Sequence, residues 1–437
     1  MVTDPPVSER EGGATRRARA ADHLRDPGTV RAVAMAAATM AANLVAVGFT
    51  VVFTRLLGAS GYGSLAALVN LSVILYVPGS ALQVAAAREA ALGRLGDGPE
   101  AAAVLRRWMR TLLAGIAVVA VASALARQPL AALLNVREEW AAAAVPVTGG
   151  LWLVLGLQRG VLQGARAYRA VGVSIVLEAV GRLVAGVVLV GAGMSVTGAY
   201  LGTPAALALT IAMLFLASER RLGGRAPAPA SAPRRRLSAL TRRAAVPIAA
   251  LTLVAALQNV DVIIARHVLP EHAAGVYAAA TVAAKALVWI AAGISLWLLP
   301  EAVRRGAEGR DPRSVLARAL AVIAAVALPA LVVYALAPGP VLRTAFGAEY
   351  ESGAGILLAL GTAYALLAVM YLAVQYLLGL HLRSFLVLLA IAAVVEPAAL
   401  ALSSSLHSLA ITVLAVQAAV AAAVLALAVA RGHRPSR

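Results

Sequence analysis

Apolar residues in this chain gather into long runs separated by short polar gaps, the patterning of helices that face lipid instead of water. An apolar run of about 20 residues crosses the ~30 Å hydrocarbon core of a bilayer as a helix. Such runs cover residues 32–54, 63–85, 109–126, 140–158, 171–192, 197–217, 245–266, 275–299, 315–337, 354–379, 385–403 and 408–430. The predicted fold is therefore all-α, a polytopic membrane protein with twelve transmembrane helices in two six-helix lobes.

Charge distribution orients these spans. Of the 38 cationic residues, 31 fall in the two tails and in every second gap, five (Arg55, Arg127, Arg137, Arg266, Arg343) border the alternate gaps, and Arg182 and Lys285 lie inside spans. Cationic loops resist translocation, so this bias predicts a multi-pass protein of the plasma (inner) membrane with both termini cytoplasmic. The formal charge of +18 belongs to loops beside spans, so no nucleic-acid partner is expected. The first 30 residues are polar and arginine-bearing, without the apolar core of a signal peptide. They are read as a disordered cytoplasmic tail, and residues 432–437 as a second tail. Cysteine is absent, which excludes disulfides, thiolate chemistry and cysteine metal sites.

Residues 219–243 combine an Ala-Pro run with eight arginines, the composition of a solvated, extended cytoplasmic linker. It separates a lobe at 31–218 from a lobe at 244–431. Six crossings precede the linker, so the second lobe enters the membrane in the same direction as the first, as in a parallel repeat. Internal similarity agrees with this division. Arg55-Leu-Leu-Gly58 with Gly61-Tyr62-Gly63 closes the first span, and Arg266-His-Val-Leu-Pro270 with Gly275-Val-Tyr277 closes the seventh, about 211 residues later.

Four stretches carry a family resemblance: Thr54-Arg-Leu-Leu-Gly58 with Tyr62-Gly63; Leu162-Gln-Gly-Ala-Arg-Ala-Tyr-Arg169; Asn259-Val-Asp261 running to Ala274-Gly-Val-Tyr-Ala-Ala-Ala280 and Leu299-Pro300; and Phe346-Gly-Ala-Glu-Tyr350. In this order along the chain they resemble the oligosaccharide flippase (polysaccharide biosynthesis, Wzx-like) branch of the multidrug/oligosaccharidyl-lipid/polysaccharide exporter superfamily. The resemblance implies a central cavity between the lobes. It also implies a flippase that carries a polyprenyl-pyrophosphate-linked oligosaccharide from the inner to the outer leaflet. The partners so implied are the lipid-linked oligosaccharide, membrane lipids and an unidentified coupling ion. The chain lacks two further helices that several members carry, and few cations lie within its spans.

Ionised side chains at mid-bilayer cost about 2.5–3.5 kcal/mol each on insertion scales, so each one calls for a reason. Glu178 and Arg182 stand one helical turn apart, either as a cavity-facing pair whose Arg can exchange carboxylate for pyrophosphate, or as a self-neutralised pair. Asp261 and Lys285, on consecutive spans, read as a salt bridge or as a cation-binding acid beside a head-group contact. Glu396 reads as a second proton-carrying carboxyl or a snorkelling one, and Arg55 as an interfacial anchor or a cavity residue. Asn43, Gln258, Asn259 and Gln375 can serve sugar hydroxyls or act as interhelical glue. Trp140, Trp152, Trp289 and Trp297 suit interfacial belts or packing.

No catalytic residue, cofactor or metal site is expected. A phosphate-binding GxxxxGK[ST] loop needs a lysine, and the sole one, Lys285, sits inside a span. The longer gaps at 127–139 and 338–353 assemble no acid/base pair, which weighs against a membrane glycosyltransferase or glycan polymerase. A cation-coupled multidrug exporter of the MATE type shares the two-lobe plan and remains the rival reading. A reporter fused to the C-terminus is expected on the cytoplasmic side, and an outward signal would break the twelve-span assignment.

Overall fold

The computed structural model describes residues 27–96, 98–223, 237–308 and 313–431. Nearly all of the expected N-terminal tail, the whole C-terminal tail at 432–437 and the centre of the 219–243 linker lie outside them. Among the described residues the elements are helical: α1 (Pro27–Ala91), α2 (Gly98–Leu125), α3 (Arg127–Leu134), α4 (Glu139–Gly164), α5 (Tyr168–Leu189), α6 (Ser195–Leu222), α7 (Leu237–Val268), α8 (Glu271–Ala307), α9 (Arg313–Leu336), α10 (Pro338–Phe346), α11 (Ala354–Gly379), α12 (Phe385–Leu400) and α13 (Leu406–Arg431). Helices satisfy their own backbone donors and acceptors, which lipid cannot do for them.

Nine helical stretches of these residues are long and apolar enough to cross a membrane, and α12 is a shorter apolar helix. Ala37–Ala91 and Tyr168–Leu222 are each 55 residues, about 80 Å at 1.5 Å per residue and far more than one crossing needs. Both are broken by positive-φ backbone: Gly58 (φ 66°) divides α1, while Gly193 (φ 90°) and Ser195 (φ 45°) separate α5 from α6 after a π-helical turn at Val190–Met194. The chain is a multi-pass membrane protein.

The order of elements repeats. The short α3 begins at Arg127 and the short α10 at Pro338, 211 residues later, the same offset that relates Arg55 to Arg266. Each short helix follows a long one and precedes another. Their ends differ in chemistry: α3 is closed by Asn135 in the left-handed region (φ 50°), whereas α10 ends at Gly347 (φ 124°).

Two apolar cores hold the bundle. One runs from Phe49, Phe53 and Leu65 of α1 through Tyr200 of α6 and on through α7–α13, joining both halves of the chain. The other, built on Leu82, Trp108, Leu155, Leu162 and Leu214, belongs to the first half apart from the opening turn of α7. Close helix contacts come from small residues, as expected where water provides no drive between helices. Gly156, Gly160 and Gly164 of α4 form a stripe against the second arm of α1. A Cβ on Gly160 would fall 2.4 Å from Gln83 O, and one on Gly156 2.2 Å from Gly79 O. At the arginine-rich end of α8, Arg304 and Arg305 each reach Glu301 at 2.8 Å, and their hydrogen bonds hold its carboxyl down to about 2.

Gly160→Leu is expected to push α4 off α1 and lower the thermal midpoint of the detergent-solubilised protein, on the ~1–3 kcal/mol scale of overpacking. Gly115→Leu, where a Cβ meets nothing within 4 Å, should leave the midpoint unchanged.

Candidate site: two buried polar clusters and a sealed end

The second half carries an acidic cluster. Asp261, on α7, is fully buried, and its Oδ2 accepts hydrogen bonds from the hydroxyls of Tyr277 of α8 (2.9 Å) and Tyr364 of α11 (2.8 Å). Glu396 of α12, also fully buried, accepts from Gln417 Nε2 of α13 at 3.0 Å, and the same amide nitrogen reaches Leu257 O of α7. The two carboxyl groups lie within electrostatic reach of each other. Four buried oxygens around them, Asp261 Oδ1, Glu396 Oε2, Gln417 Oε1 and Thr281 Oγ1, have no hydrogen-bond partner. Oxygen-only groups of mixed charge are the donor set that suits a proton or a hard cation. Glu396 does not snorkel: it is held inside.

Lys285 does not form the expected salt bridge with Asp261. Its Nζ donates instead to Asn70 Oδ1 of α1 (2.5 Å) and Asn259 Oδ1 of α7 (3.0 Å), and it stands 5.7 Å from the centre of the Tyr364 ring. Each asparagine is aimed by its own helix. Asn70 Nδ2 donates to Ala66 O and Asn259 Nδ2 to Ala255 O, both at 2.7 Å, which turns the two amide oxygens toward the ammonium. Asp261 acts on Lys285 only through space, while the two tyrosine hydroxyls hold its Oδ2. Of the two roles open to Asn259, sugar contact or interhelical bonding, its side chain makes the second, to Lys285.

The first half carries a cationic and aromatic cluster. The expected Glu178–Arg182 ion pair is not formed. Arg182 instead lays its guanidinium over the Phe49 ring at 4.7 Å, and its buried Nε has no hydrogen-bond partner. Glu178 lies within electrostatic reach of Arg159 and Tyr76. Arg159 was counted above as a loop residue. The apolar run continues past it because the glycine stripe carries α4 on to Gly164, and Arg159 is buried with Nε on Ser174 Oγ and Nη2 on Ser174 O, both 2.9 Å. It also lies over Trp152, itself stacked on Tyr76 at 4.6 Å. Spacing gave the signal: Gly156, Gly160 and Gly164 recur every four residues through the supposed loop boundary.

The other candidates scatter. Asn43 is exposed on α1, Gln375 Nε2 donates to Tyr371 OH, and Gln258 offers its backbone oxygen to Tyr364. Trp140 is exposed beneath Arg127, Trp289 is also exposed, and the side chain of Trp297 lies outside the described residues. An apolar groove of about 770 Å³ runs between the start of α1 and α5, with Met35, Val173 and Leu177 along its wall and Arg169 at one end.

Arg55 belongs to neither cluster. It lies at the end where the two halves close on each other, its Nη2 reaching Thr344 O at 3.4 Å. Beside it Tyr350 OH donates to Thr54 O (3.1 Å), and Ala59 N, just past the Gly58 break, donates to Glu349 Oε2 (3.3 Å). The repeat-related contact pairs the α7–α8 turn with the end of α3. Arg266 Nη2 donates to Asn135 O (2.8 Å), Asn135 Nδ2 donates back to Arg266 O, His267 Nε2 meets Leu133 O (2.9 Å), and Arg137 pairs with Glu271 at 3.1 Å. Between the two contacts the backbones touch: a Cβ on Gly275 would fall 1.8 Å from Ala59 O, and one on Gly63 3.1 Å from Gly275 N. We refer to this as the sealed end.

Solved structures with this architecture are transporters. An inward-facing multidrug-resistance MATE-family transporter of the MOP superfamily superposes with a TM-score of 0.74 at 12% identity, over 92% of this chain and 98% of its own. The lipid II flippase MurJ, in an inward closed conformation, gives 0.70 at 12% identity over 90% and 87%. A Vibrio cholerae MATE transporter gives 0.60 at 15% identity over 92% and 96%. The chain has the fold of these transporters. No family model matches the sequence, and no curated protein matches it.

The sealed end predicts a cross-link. In this cysteine-free chain, Arg137→Cys with Glu271→Cys should react in high yield with a short bifunctional maleimide, giving a band of altered mobility. Absence of that band would show that the two halves do not meet there.

Proposed function

We propose that the chain is an alternating-access flippase of the inner membrane that moves a polyprenyl-pyrophosphate-linked oligosaccharide to the outer leaflet for cell-surface polysaccharide assembly. In this reading the breaks at Gly58 and at Gly193–Ser195 turn the helical stretches, with α12, into twelve crossings. They group into lobes at 31–218 and 244–431 joined by the 219–243 linker, with both termini cytoplasmic and the sealed end outward.

Arg182 carries the choice of cargo. A guanidinium within a span, held by an aromatic face and left with a buried donor unused, is poised for an anion and gains nothing from a cationic drug. Lys285 supplies a second cation deeper in the second lobe. A pyrophosphate crossing hydrocarbon needs its hydration replaced by such groups. Outward movement of negative charge is favoured by about 2.3 kcal/mol per charge per 100 mV of inside-negative potential. The apolar groove beside α1 and α5 gives a lipid tail a place to remain in the bilayer while the glycan passes between the lobes.

The acidic cluster supports ion coupling. Asp261 and Glu396, with unpartnered oxygens beside them, suit a proton or monovalent cation as the exchanged ion. The same cluster favours the rival reading, a MATE-like exporter of cationic drugs, in which these acids would meet the drug.

Vesicles reconstituted with the protein and a fluorescent polyprenyl-pyrophosphate saccharide decide between them. Arg182→Gln and Lys285→Met should each slow flipping by roughly tenfold or more, the scale of losing a hydrogen bond to a charged group, with the amount of folded protein unchanged. Wild-type rates in both variants would remove the pyrophosphate role. Asp261-dependent ethidium efflux without saccharide flipping would establish the drug exporter instead.

A further inference from the structure

Lys285 is a buried cation whose hydrogen bonds reach both halves of the chain: Asn70 belongs to α1 and Asn259 to α7. Every neighbour that could neutralise it lies on the acidic side. Asp261 of α7 acts on it through space, and Glu396 of α12 acts in turn on Asp261. The other groups in contact with it are neutral: the two amide oxygens and the Tyr364 ring. Tyr334 of α9 spends its hydroxyl on Ala283 O. With the acids charged, a buried ammonium held by two amide oxygens is tolerable. Once Asp261 is neutralised by a proton or cation bound in the acidic cluster, the same ammonium is left buried without counter-charge, which is strongly unfavourable.

The state that relieves this is one in which the ammonium meets water or an anion. Reaching it requires letting go of Asn70, the contact that reaches across the halves behind the Gly63–Gly275 touch. We propose that the Lys285–Asn70 hydrogen bond is a charge-sensitive clasp: loading the acidic cluster releases it, lets the sealed end part, and hands the lysine to an anionic head group. Asn70 is then a positioning residue, acting through Lys285. The inference deepens the flippase reading above and rests on it for the identity of the anion, while the clasp itself stands on the geometry alone.

The test uses nitroxides on cysteines introduced at Leu133 and Leu336, exposed positions at the sealed end in opposite halves. Pulsed electron paramagnetic resonance then measures the fraction of molecules with a long inter-label distance. Asp261→Asn and Asn70→Ala should each raise that fraction by roughly tenfold, the scale of a charge-assisted hydrogen bond. Asn70→Asp, which gives the lysine a carboxylate, should lower it, a change of sign that simple loss of packing would not produce. In a Lys285→Met background, Asp261→Asn should have no further effect. The clasp is overturned if Asp261→Asn shifts the distances as strongly without the lysine as with it, or if Asn70→Ala and Asn70→Asp move them the same way. If the variants behave as expected while neither sodium nor acid pH moves the wild-type distribution, the clasp stands and the ion-coupling part of the flippase reading fails.

Discussion

An ammonium with no water around it must be solvated by the protein, and the way Lys285 is solvated organises much of this molecule. A direct ion pair with Asp261 would close the charge within the second half. That pair is not made: Tyr277 and Tyr364 hold Asp261 Oδ2, and the lysine bonds to amide oxygens, one of them on the opposite half. A pair that could have been local becomes a link between two bodies. The same preference recurs in the first half, where Arg182 lies on a ring instead of on Glu178, and Arg159 takes a serine hydroxyl and carbonyl. Neutral dipoles and rings hold these cations, so none of the three rests on a direct ion pair.

The sealed end supplies the complementary constraint. Its two contacts are made by repeat-related segments, the turn after one long helix of each half meeting the short helix of the other. Their chemistry has diverged: a reciprocal Asn135–Arg266 exchange on one side, and Glu349 on a backbone N–H with Tyr350 on Thr54 O on the other. Surface ion pairs such as Arg137–Glu271 contribute little alone. The seal rests chiefly on part-buried backbone groups, which are costly to leave unpaired.

Much of the fold was legible because lipid imposes two signals that do not depend on tertiary detail, apolar length and the placement of arginines. The 211-residue offset read from Arg55 and Arg266 reappears between α3 and α10. The site was legible only as a set of residues. Asp261, Lys285, Glu178, Arg182 and Glu396 were all found by their cost in hydrocarbon, yet the pairings Glu178–Arg182 and Asp261–Lys285 were misjudged, because sequence spacing ranks helical neighbours whereas Arg182 turns to Phe49 and Lys285 to Asn70, both on α1. Asn70 carried no signal in the sequence, since an amide inside a span costs little and its role depends on a lysine 215 residues away. Arg159 was hidden by a span boundary drawn at the first charge, although the glycine stripe ran through it. Arg55 was recognised as marking a helix end, but its contact with Thr344 depends on a segment 289 residues away.

The touch of Gly275 on Ala59 has a mechanical meaning. Where two main chains meet with no side chain between them, nothing at the joint can bend or repack, so it behaves as a fulcrum. A pivot set so near one face gives unequal lever arms: a small parting there corresponds to a broad sweep at the arginine-rich face. Two halves joined in this way can separate widely at the arginine-rich face while moving little at the joint.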